Sequence, residues 1–497
     1  MTDASTPAAA LPLGFTVRLA RRTRVLEGGR VLVGGSPTRV ARLSGRGAGA
    51  FRGRDLTVAD ATTRRLAEHL LETGLGNPVA HTLPEIALDQ VTAVIPVKER
   101  AQPLSRLLAS LPGGLARVIV VDDGSDRAAE IAFVVRRAGA ELLRLDVNQG
   151  PAAARNAGLA RVETPFVAFL DSDVTVEPDA IGLLLRHFAD PRLALAAPRV
   201  LSTRVENPSW VARYEDARSS LDLGADAALV RPRSPVTWVS STCLVGRVSD
   251  LGAGFDDAMR VGEDVDLVWR LVDAGRRVRF EPSAVVRHEP RETARAWLAR
   301  KFFYGTGAHP LATRHPKDIA PAVLPPWGAA VLALVALQRR WATAAAIAVT
   351  AGALIQVARR LRNVEHPWRL ATELTGTSLV AAGGQGMALL VRHWWPAAAA
   401  AAVVFPRARR LLAVAAVVDA AVEYVRLRPR LDPLRFAVAR RLDDLAYGAG
   451  VWTSAWRGRS LGALLPAIIR TSRAERAPRR GDSARGSARR DGDQPAA

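Results

Sequence analysis

The pattern of apolar and polar positions divides the chain into three zones. In the middle zone, RVIVVDDGSD (117–126) and FVAFLDSDV (166–174) carry four and five consecutive apolar residues, each run closed by carboxylates. Short apolar runs bounded by turn residues predict strands buried on both faces. TAVIPVKER (92–100) and ELLRLDVNQG (141–150) read the same way. Between them the period turns helical, with Leu104, Leu107, Leu108 and Leu111 on one face, a segment at 128–138, and PAAARNAGLARV (151–162) opened by Pro151. Strands alternating with helices predict βαβ units in a Rossmann-like, mostly parallel sheet, with ligands beyond the carboxyl ends of the strands.

Upstream, RVLEGGRVLVGG (24–35) predicts a β-hairpin turning at Gly28-Gly29. TVADATTRRLAEHLLETGL (57–75) predicts a helix, with Thr57 and Asp60 as candidate caps and Gly74 as its stop. Residues 13–80 therefore read as a small α+β module of winged-helix type, preceded by disorder over 1–12 and followed by a linker at Gly76-Asn77-Pro78. Such a module either packs on the main body or offers a sheet edge to a peptide.

Downstream of His288 the apolar runs lengthen, as in VLPPWGAAVLALVAL (323–337) and WATAAAIAVTAGALIQVA (341–358). Weaker runs cover 374–391, 394–405 and 411–425, the last broken by Asp419. Spanning takes about 20 apolar residues, with a lower limit near 17. Arginines at both ends of the second run fit the positive-inside rule poorly, so helices lying in the interface compete with spanning ones. Residues 320–465 are expected to be a helical, membrane-associated region, and 470–497 a disordered basic tail.

Composition sharpens this picture. Lys and Arg total 69 against 48 Asp and Glu, a net charge of +21, and only Lys98, Lys301 and Lys317 are lysines. The balance favours phosphates or anionic lipid. Nucleic acid is not expected as a partner, because no aromatic residues interleave with the basic ones. Cys243 is the sole cysteine, which excludes intramolecular disulfides. The N-terminus lacks the charged start and apolar core of a secretory signal.

The candidate chemistry sits where the strands end. Asp171 and Asp173 lie two apart, so an extended backbone points both carboxylates to one side. Acids clustered at one sheet edge call for a cation, and a divalent metal carrying a phosphate ligand is the simplest. His288, closing another apolar run in VVRHEP, is a candidate third ligand. Asp122 and Asp123 precede a Gly-Ser turn, where Asp122 reads as a turn cap and Asp123 as an acceptor for a nucleobase hydrogen bond. Gly150 and Arg155 place a glycine and a cation at a helix start suited to anions. Glu263 and Asp264 open the helix GEDVDLVWRL (262–271), where a carboxylate is either a cap or a general base.

The motifs VIPVKER, VVDDGSD, NQGPAAARNAG, FLDSD and GEDVDLVWRL, in this order over 91–290, resemble the inverting family 2 glycosyltransferases of the GT-A fold. The resemblance implies a nucleoside diphosphate sugar donor, a UDP-sugar if its base is uracil, and Mg or Mn. It implies a nucleotide pocket at Pro96 and Glu99, uracil contacts from Asp123, metal and diphosphate at Asp171 and Asp173, and a base at Asp264. The Q-x-x-R-W motif of processive polysaccharide synthases is absent, and Trp297 is followed instead by ARKFFYGTG (299–307). The whole layout, with a catalytic domain over 91–310, is similar to the mycofactocin biosynthesis glycosyltransferases. That likeness implies glucose transfer, β-linked, to a peptide-derived redox cofactor, with the N-terminal module recognising the acceptor or its precursor peptide. The expected location is the cell membrane, with the catalytic domain on the cytoplasmic side. Two rivals are a transferase acting on a polyprenyl phosphate or cell-envelope glycan, and a non-catalytic peptide-binding scaffold.

Overall fold

The computed structural model describes residues 10–203 and 205–469. The tail over 470–497 and positions 1–9 lie outside the described residues, so the disorder expected there is not addressed. Leu11, counted with that leader, is buried in the N-terminal core beside Phe15 and Leu70.

The N-terminal module consists of β1 (Thr16–Leu19), β2 (Arg24–Leu26), β3 (Val31–Gly34), β4 (Arg39–Arg42), a short α1 (Gly45–Gly49), β5 (Phe51–Arg52), β6 (Asp55–Thr57), α2 (Ala61–Thr73) and β7 (Gly76–Pro78). These form two antiparallel sheets, ordered β5-β6-β1-β7 and β2-β3-β4. The expected hairpin is β2–β3, with Leu26 facing Val31 across the turn. Asp60 caps α2 in a reciprocal box with Thr63, and Gly74 ends it in the left-handed region. Thr57 is not a cap, because its hydroxyl meets that of Thr16 across β1 and β6 at 3.0 Å. Gly76-Asn77-Pro78 is a strand of the sheet rather than a linker.

The body runs β8 (Val91–Val97), α3 (Ala101–Ser110), β9 (Arg117–Asp123), α4 (Ala128–Arg137), β10 (Glu141–Leu145), α5 (Pro151–Leu159), β11 (Phe166–Leu170), β12 (Val174–Val176), α6 (Ala180–Arg186) and β13 (Leu193–Ser202). It continues with α7 (Trp210–Ala217), β14 (Ala228–Val230), β15 (Cys243–Arg247), α8 (Val248–Leu251), α9 (Glu263–Asp273) and β16 (Arg277–His288). Alternation along β8 explains its burial. Ala93, Ile95 and Val97 pack on Leu104 and Leu107 of α3, while Val94 packs with Ala152 and Ala154 of α5 on the other face. The strand order is β10-β9-β8-β11-β15-β13-β16-β12, with β14 on β16.

The sheet is mixed, which corrects the mostly parallel expectation. β10, β9, β8 and β11 are parallel, but β15 runs antiparallel to both β11 and β13. The strict strand–helix alternation stops after β11, and with it the crossovers that impose parallel pairing. The module docks on the body through charge. Arg277, 4% exposed, lies 2.8 Å from Asp190 and reaches Glu68 and Glu72 of α2. Asn77 Nδ2 donates to the Ala227 carbonyl at 3.0 Å.

The remainder comprises α10 (Ala294–Thr306), α11 (Ala308–Arg314), β17 (Val323–Leu324), α12 (Pro326–Ala336), α13 (Arg340–Arg360), α14 (Pro367–Ala388), α15 (Trp395–Val404), α16 (Pro406–Leu427), α17 (Pro433–Arg457) and β18 (Ala467–Ile468). A π-helical turn, Leu389–His393, follows α14 directly. Two stretches, Arg340–Arg360 and Pro367–His393, are long and apolar enough to cross a membrane. The helical expectation over 320–465 covered α17 without marking it as an element of its own. Its 25 residues carry a buried Arg440, Asp443 and Asp444 among Phe436, Ala439 and Val451. α17 crosses α10 at a glycine pair, where a Cβ on Gly305 would lie 2.2 Å from the Tyr447 carbonyl and one on Gly450 2.1 Å from that of Phe302. Lys301, beside this crossing, is buried 3.1 Å from Glu215 and 3.6 Å from Asp443.

Candidate active site

The carboxyl ends of β8, β9 and β11 open into a cleft of about 1000 Å³. Pro96, Asp123, Arg155, Asp171, Asp173 and Asp264 all line it. The far wall comes from Arg300 and Tyr304 of α10, Tyr447 of α17, and Arg392 and His393. The KFFYGTG motif was the signal for the α10 part. Nothing in the local sequence marked the contribution of α17.

Asp122 caps its turn, as expected, whereas Asp123 is engaged by the loop before α5. Asp122 is fully buried, and its Oδ1 accepts from the Ser125 N–H at 3.0 Å. The two oxygens of Asp123 accept from the N–H groups of Gln149 at 2.7 Å and Gly150 at 2.9 Å. That pair ties β9 to the start of α5. Gly150 holds φ +98°, and a Cβ there would sit 3.0 Å from the Arg260 guanidinium, so glycine keeps the chain open at the helix N-terminus. Glu99, at φ +56°, does not line the cleft. Its carboxylate accepts from the backbone of Asp126 and Arg127, bonds that hold it below the usual carboxylate range.

Arg155 is the centre of the charge arrangement. It is 3% exposed, with Nη2 2.6 Å from Asp171 and Nη1 3.1 Å from Glu263. Burial disfavours its charge, but Asp171 and Glu263 outweigh that and raise its pKa. Asp173 pairs with Arg100 and lies 3.4 Å from His288 Nε2. Burial pushes the Asp173 carboxyl up, yet His288 and Arg100 prevail and hold it well below the usual range.

The donor set suits the expected metal, since two carboxylates and an imidazole are ligands that Mn accepts readily and Mg accepts through oxygen. Asp173 and His288 are adjacent, while Asp171 turns one oxygen to Arg155 and leaves the other without a hydrogen bond among the described residues. Among the described residues, Asp171, Asp173 and His288 do not bring three ligand atoms within 4.8 Å of one another, whereas Asp273, His315 and Asp318 do. His315 there is bonded to Asp266 at 2.9 Å, and sequence reading did not anticipate the group.

Glu263 and Asp264 part at the start of α9. Glu263 is tied to Arg155, whereas Asp264 makes no ion pair among the described residues. Its carboxylate is held by the N–H groups of Ser241 at 3.2 Å and Val265 at 2.8 Å. Burial first, and the charge of Glu263 second, push the Asp264 carboxyl up to about 7. A carboxylate poised near neutrality and facing a cleft can accept a proton there.

Residues 92–250 match the family model for glycosyl transferase family 2. The "Pre-mycofactocin glycosyltransferase" of Mycobacterium tuberculosis (strain ATCC 25618 / H37Rv) is 44% identical over 471 residues, covering 92% of this chain and 98% of its own length. The chain belongs to the pre-mycofactocin glycosyltransferase family. It is thus a family 2 glycosyltransferase, and the likeness runs through the N-terminal module and the C-terminal helices as well as the body. The "Succinoglycan biosynthesis protein ExoO" of Rhizobium meliloti (strain 1021) is 30% identical over 223 residues, 41% of this chain and 61% of that protein. Among solved structures, a mannosyltransferase from Pyrobaculum calidifontis in complex with GDP-mannose and Mn2+ aligns at TM-score 0.36 and 20% identity, covering 61% of this chain and 90% of that one.

Proposed function

We propose that the cleft transfers a hexose from a UDP-sugar, with glucose the expected sugar, to a hydroxyl of a peptide-derived redox cofactor in mycofactocin assembly, with inversion to a β-linkage. The observation that carries this reading is the separation at the start of α9. Glu263 neutralises Arg155, while Asp264 stands in the same cleft as Asp171 without an ion-pair partner among the described residues. Asp264 takes the proton of the acceptor hydroxyl as that oxygen attacks C1 of the sugar, and UDP leaves from the opposite face. One such displacement turns an α donor into a β product.

The nucleotide lies along the β8–β9 end, on Pro96. Asp123, whose oxygens retain lone pairs beyond their loop bonds, accepts from the uracil imide. Glu99 acts indirectly, by fixing the turn after Ser125. The N-terminus of α5 and Arg155 favour the diphosphate. Asp171, Asp173 and His288 would hold Mg or Mn, which supplies positive charge to the departing phosphate. The N-terminal module, in a winged-helix-like role, presents the acceptor or its precursor peptide. The apolar helices attach the enzyme to membrane lipid, with the body on the cytoplasmic side.

The test is to incubate the purified protein with a panel of UDP-sugars and two acceptor types, the peptide-derived cofactor and a polyprenyl phosphate, and to read product masses. Hexose added to the first acceptor, from UDP-glucose, is expected. Addition to the second alone would move the reading to a cell-envelope glycan.

A further inference from the structure

The proposed attachment to lipid is the ground for one step more, because the ends of the two long apolar helices decide how they meet it. The helical stretch Pro367–His393 has 27 residues. At 1.5 Å per residue it is about 40 Å long, more than the ~30 Å of a hydrocarbon core. Length alone would let it cross.

Its two ends forbid that. At the N-terminal end, Leu370 and Ala371 pack on Val31 and Val33 of β3, in one cluster with Ala358 and Leu361 from the end of α13. Just before it, the Glu365 N–H donates to the Glu27 carboxylate at 2.9 Å, and just inside it Glu373 pairs with Arg24. At the C-terminal end, Arg392 lies 3.1 Å from Asp443 and 2.9 Å from Asp444. Asp443 in turn accepts from the Tyr214 hydroxyl and pairs with Arg218, both of the body. One end is thus seated on the N-terminal module and the other on the catalytic body, and those two are joined by the buried Arg277–Asp190 pair and its Glu68 and Glu72 partners. A helix that crosses a bilayer has its ends in two different aqueous compartments. Both ends here rest on one aqueous unit.

The neighbouring helices agree. α12 has 11 residues and α15 has 10, about 15 Å each and too short to cross. The turn between α12 and α13 touches the start of α16, where Gln338 donates to the Arg407 carbonyl at 2.7 Å. Arginine sits at both ends of α13, with Arg339 and Arg340 exposed at its start and Arg359 and Arg362 exposed at its close. Crossing would strand one of these groups on the far side, against the usual bias. Lying flat keeps every one at headgroup depth, where basic residues are drawn to anionic lipid. Large apolar side chains of these helices and the turns beside them are open to the outside, among them Trp341, Ile347, Val380 and Phe405.

We infer that the protein is monotopic. α13 and α14 lie in the plane of one leaflet, no segment of 320–465 crosses, and the occupant of the exposed apolar layer is an anionic lipid surface.

Two measurements on the full chain test this. Ala336→Cys and Asn363→Cys, both at exposed positions, mark the two ends of α13, and the native Cys243 is buried. In spheroplasts expressing either variant, a membrane-impermeant maleimide is expected to label neither before lysis and both after it. Labelling of one cysteine in intact spheroplasts would show that α13 crosses and would overturn the inference while leaving attachment intact. Purified protein is then floated with vesicles of phosphatidylcholine alone or with 30% phosphatidylglycerol. Recovery with the anionic vesicles is expected to exceed that with neutral ones by more than about tenfold, given the several arginines at the surface. Equal recovery on both would overturn the choice of an anionic surface. No flotation with either would defeat the attachment itself, and a stable dimer in that case would name a second copy as the cover.

Discussion

The sheet edge of the cleft and the helical wall opposite use charge in contrary ways. At the sheet edge, acids follow apolar strands directly, and each is satisfied by a neighbour along the same edge: Asp123 by the start of α5, Asp171 by Arg155, Asp173 by Arg100 and His288. Charge there is left at the boundary of a cavity, where it can be re-paired by a ligand. In the wall, Asp443 and Asp444 sit fully buried in the middle of a helix, enclosed by Lys301, Arg218, Arg392 and Arg440. That charge cannot meet a substrate without breaking the packing. The first arrangement suits chemistry, and the second suits fixing one element against another.

The contrast breaks if the edge charges prove structural. Asp173→Asn is therefore expected to cut turnover by about 10³-fold, the several kcal/mol a metal contributes to charge stabilisation. The unfolding transition should stay where it is, and EDTA should mimic the variant. A variant that loses activity only because its melting temperature collapses would place Asp173 with the wall instead.

The wall supplies the converse. Asp443→Asn removes the carboxylate that Lys301, Arg218 and Arg392 share, leaving them Glu215, Glu423 and Asp444, and is expected to cost about 3 kcal/mol of stability by calorimetry. UDP affinity should stay close to the original. Burial pushes the Asp443 carboxyl up, but Lys301, Arg392 and Arg218 hold it well below the usual range. A depressed folded pKa contributes stability that is present above the unfolded value, about 3.9, and is lost as pH falls below it. Acid unfolding monitored by circular dichroism should begin at higher pH in any variant that weakens this group.

A finer test uses pH within the active range. With the Asp264 carboxyl pushed up to about 7, a base must first lose its proton. Turnover should rise about tenfold per pH unit below that value and level off above it. A flat profile from pH 5 to 8 would remove Asp264 from the proton transfer. The smallest effect is expected at Glu99. It fastens a turn outside the cleft, so Glu99→Gln should shift UDP affinity by only about a factor of two.

How far the sequence disclosed each region follows from the same physics. The sheet edge was legible because its motifs are local. An apolar run and the acids that end it are adjacent in the chain, and the hairpin at Gly28-Gly29 and the box at Asp60 and Thr63 are local as well. Where pairing is distant, the pattern said less. Lys301 to Asp443 and Arg218 to Asp443 join residues more than 140 positions apart, so α17 was expected only as part of a helical region, without its buried charge pairs. The antiparallel entry of β15 between β11 and β13 is likewise invisible in its own five residues. Glu99, through the family resemblance, and Asp123 were singled out as site candidates, yet the backbone groups that occupy them come from turns whose approach no spacing predicts.

The central claim is that Asp264, and not Glu263, is the base in the cleft. Turnover and UDP affinity measured side by side for Asp264→Asn and Glu263→Gln test it most directly. The account predicts a loss of about 10²–10⁴ in turnover for Asp264→Asn with UDP affinity retained. Glu263→Gln, which takes from Arg155 one of the two carboxylates that position it, should instead weaken UDP-sugar binding while keeping most of the turnover at saturation. An active Asp264→Asn beside a dead Glu263→Gln would contradict the account.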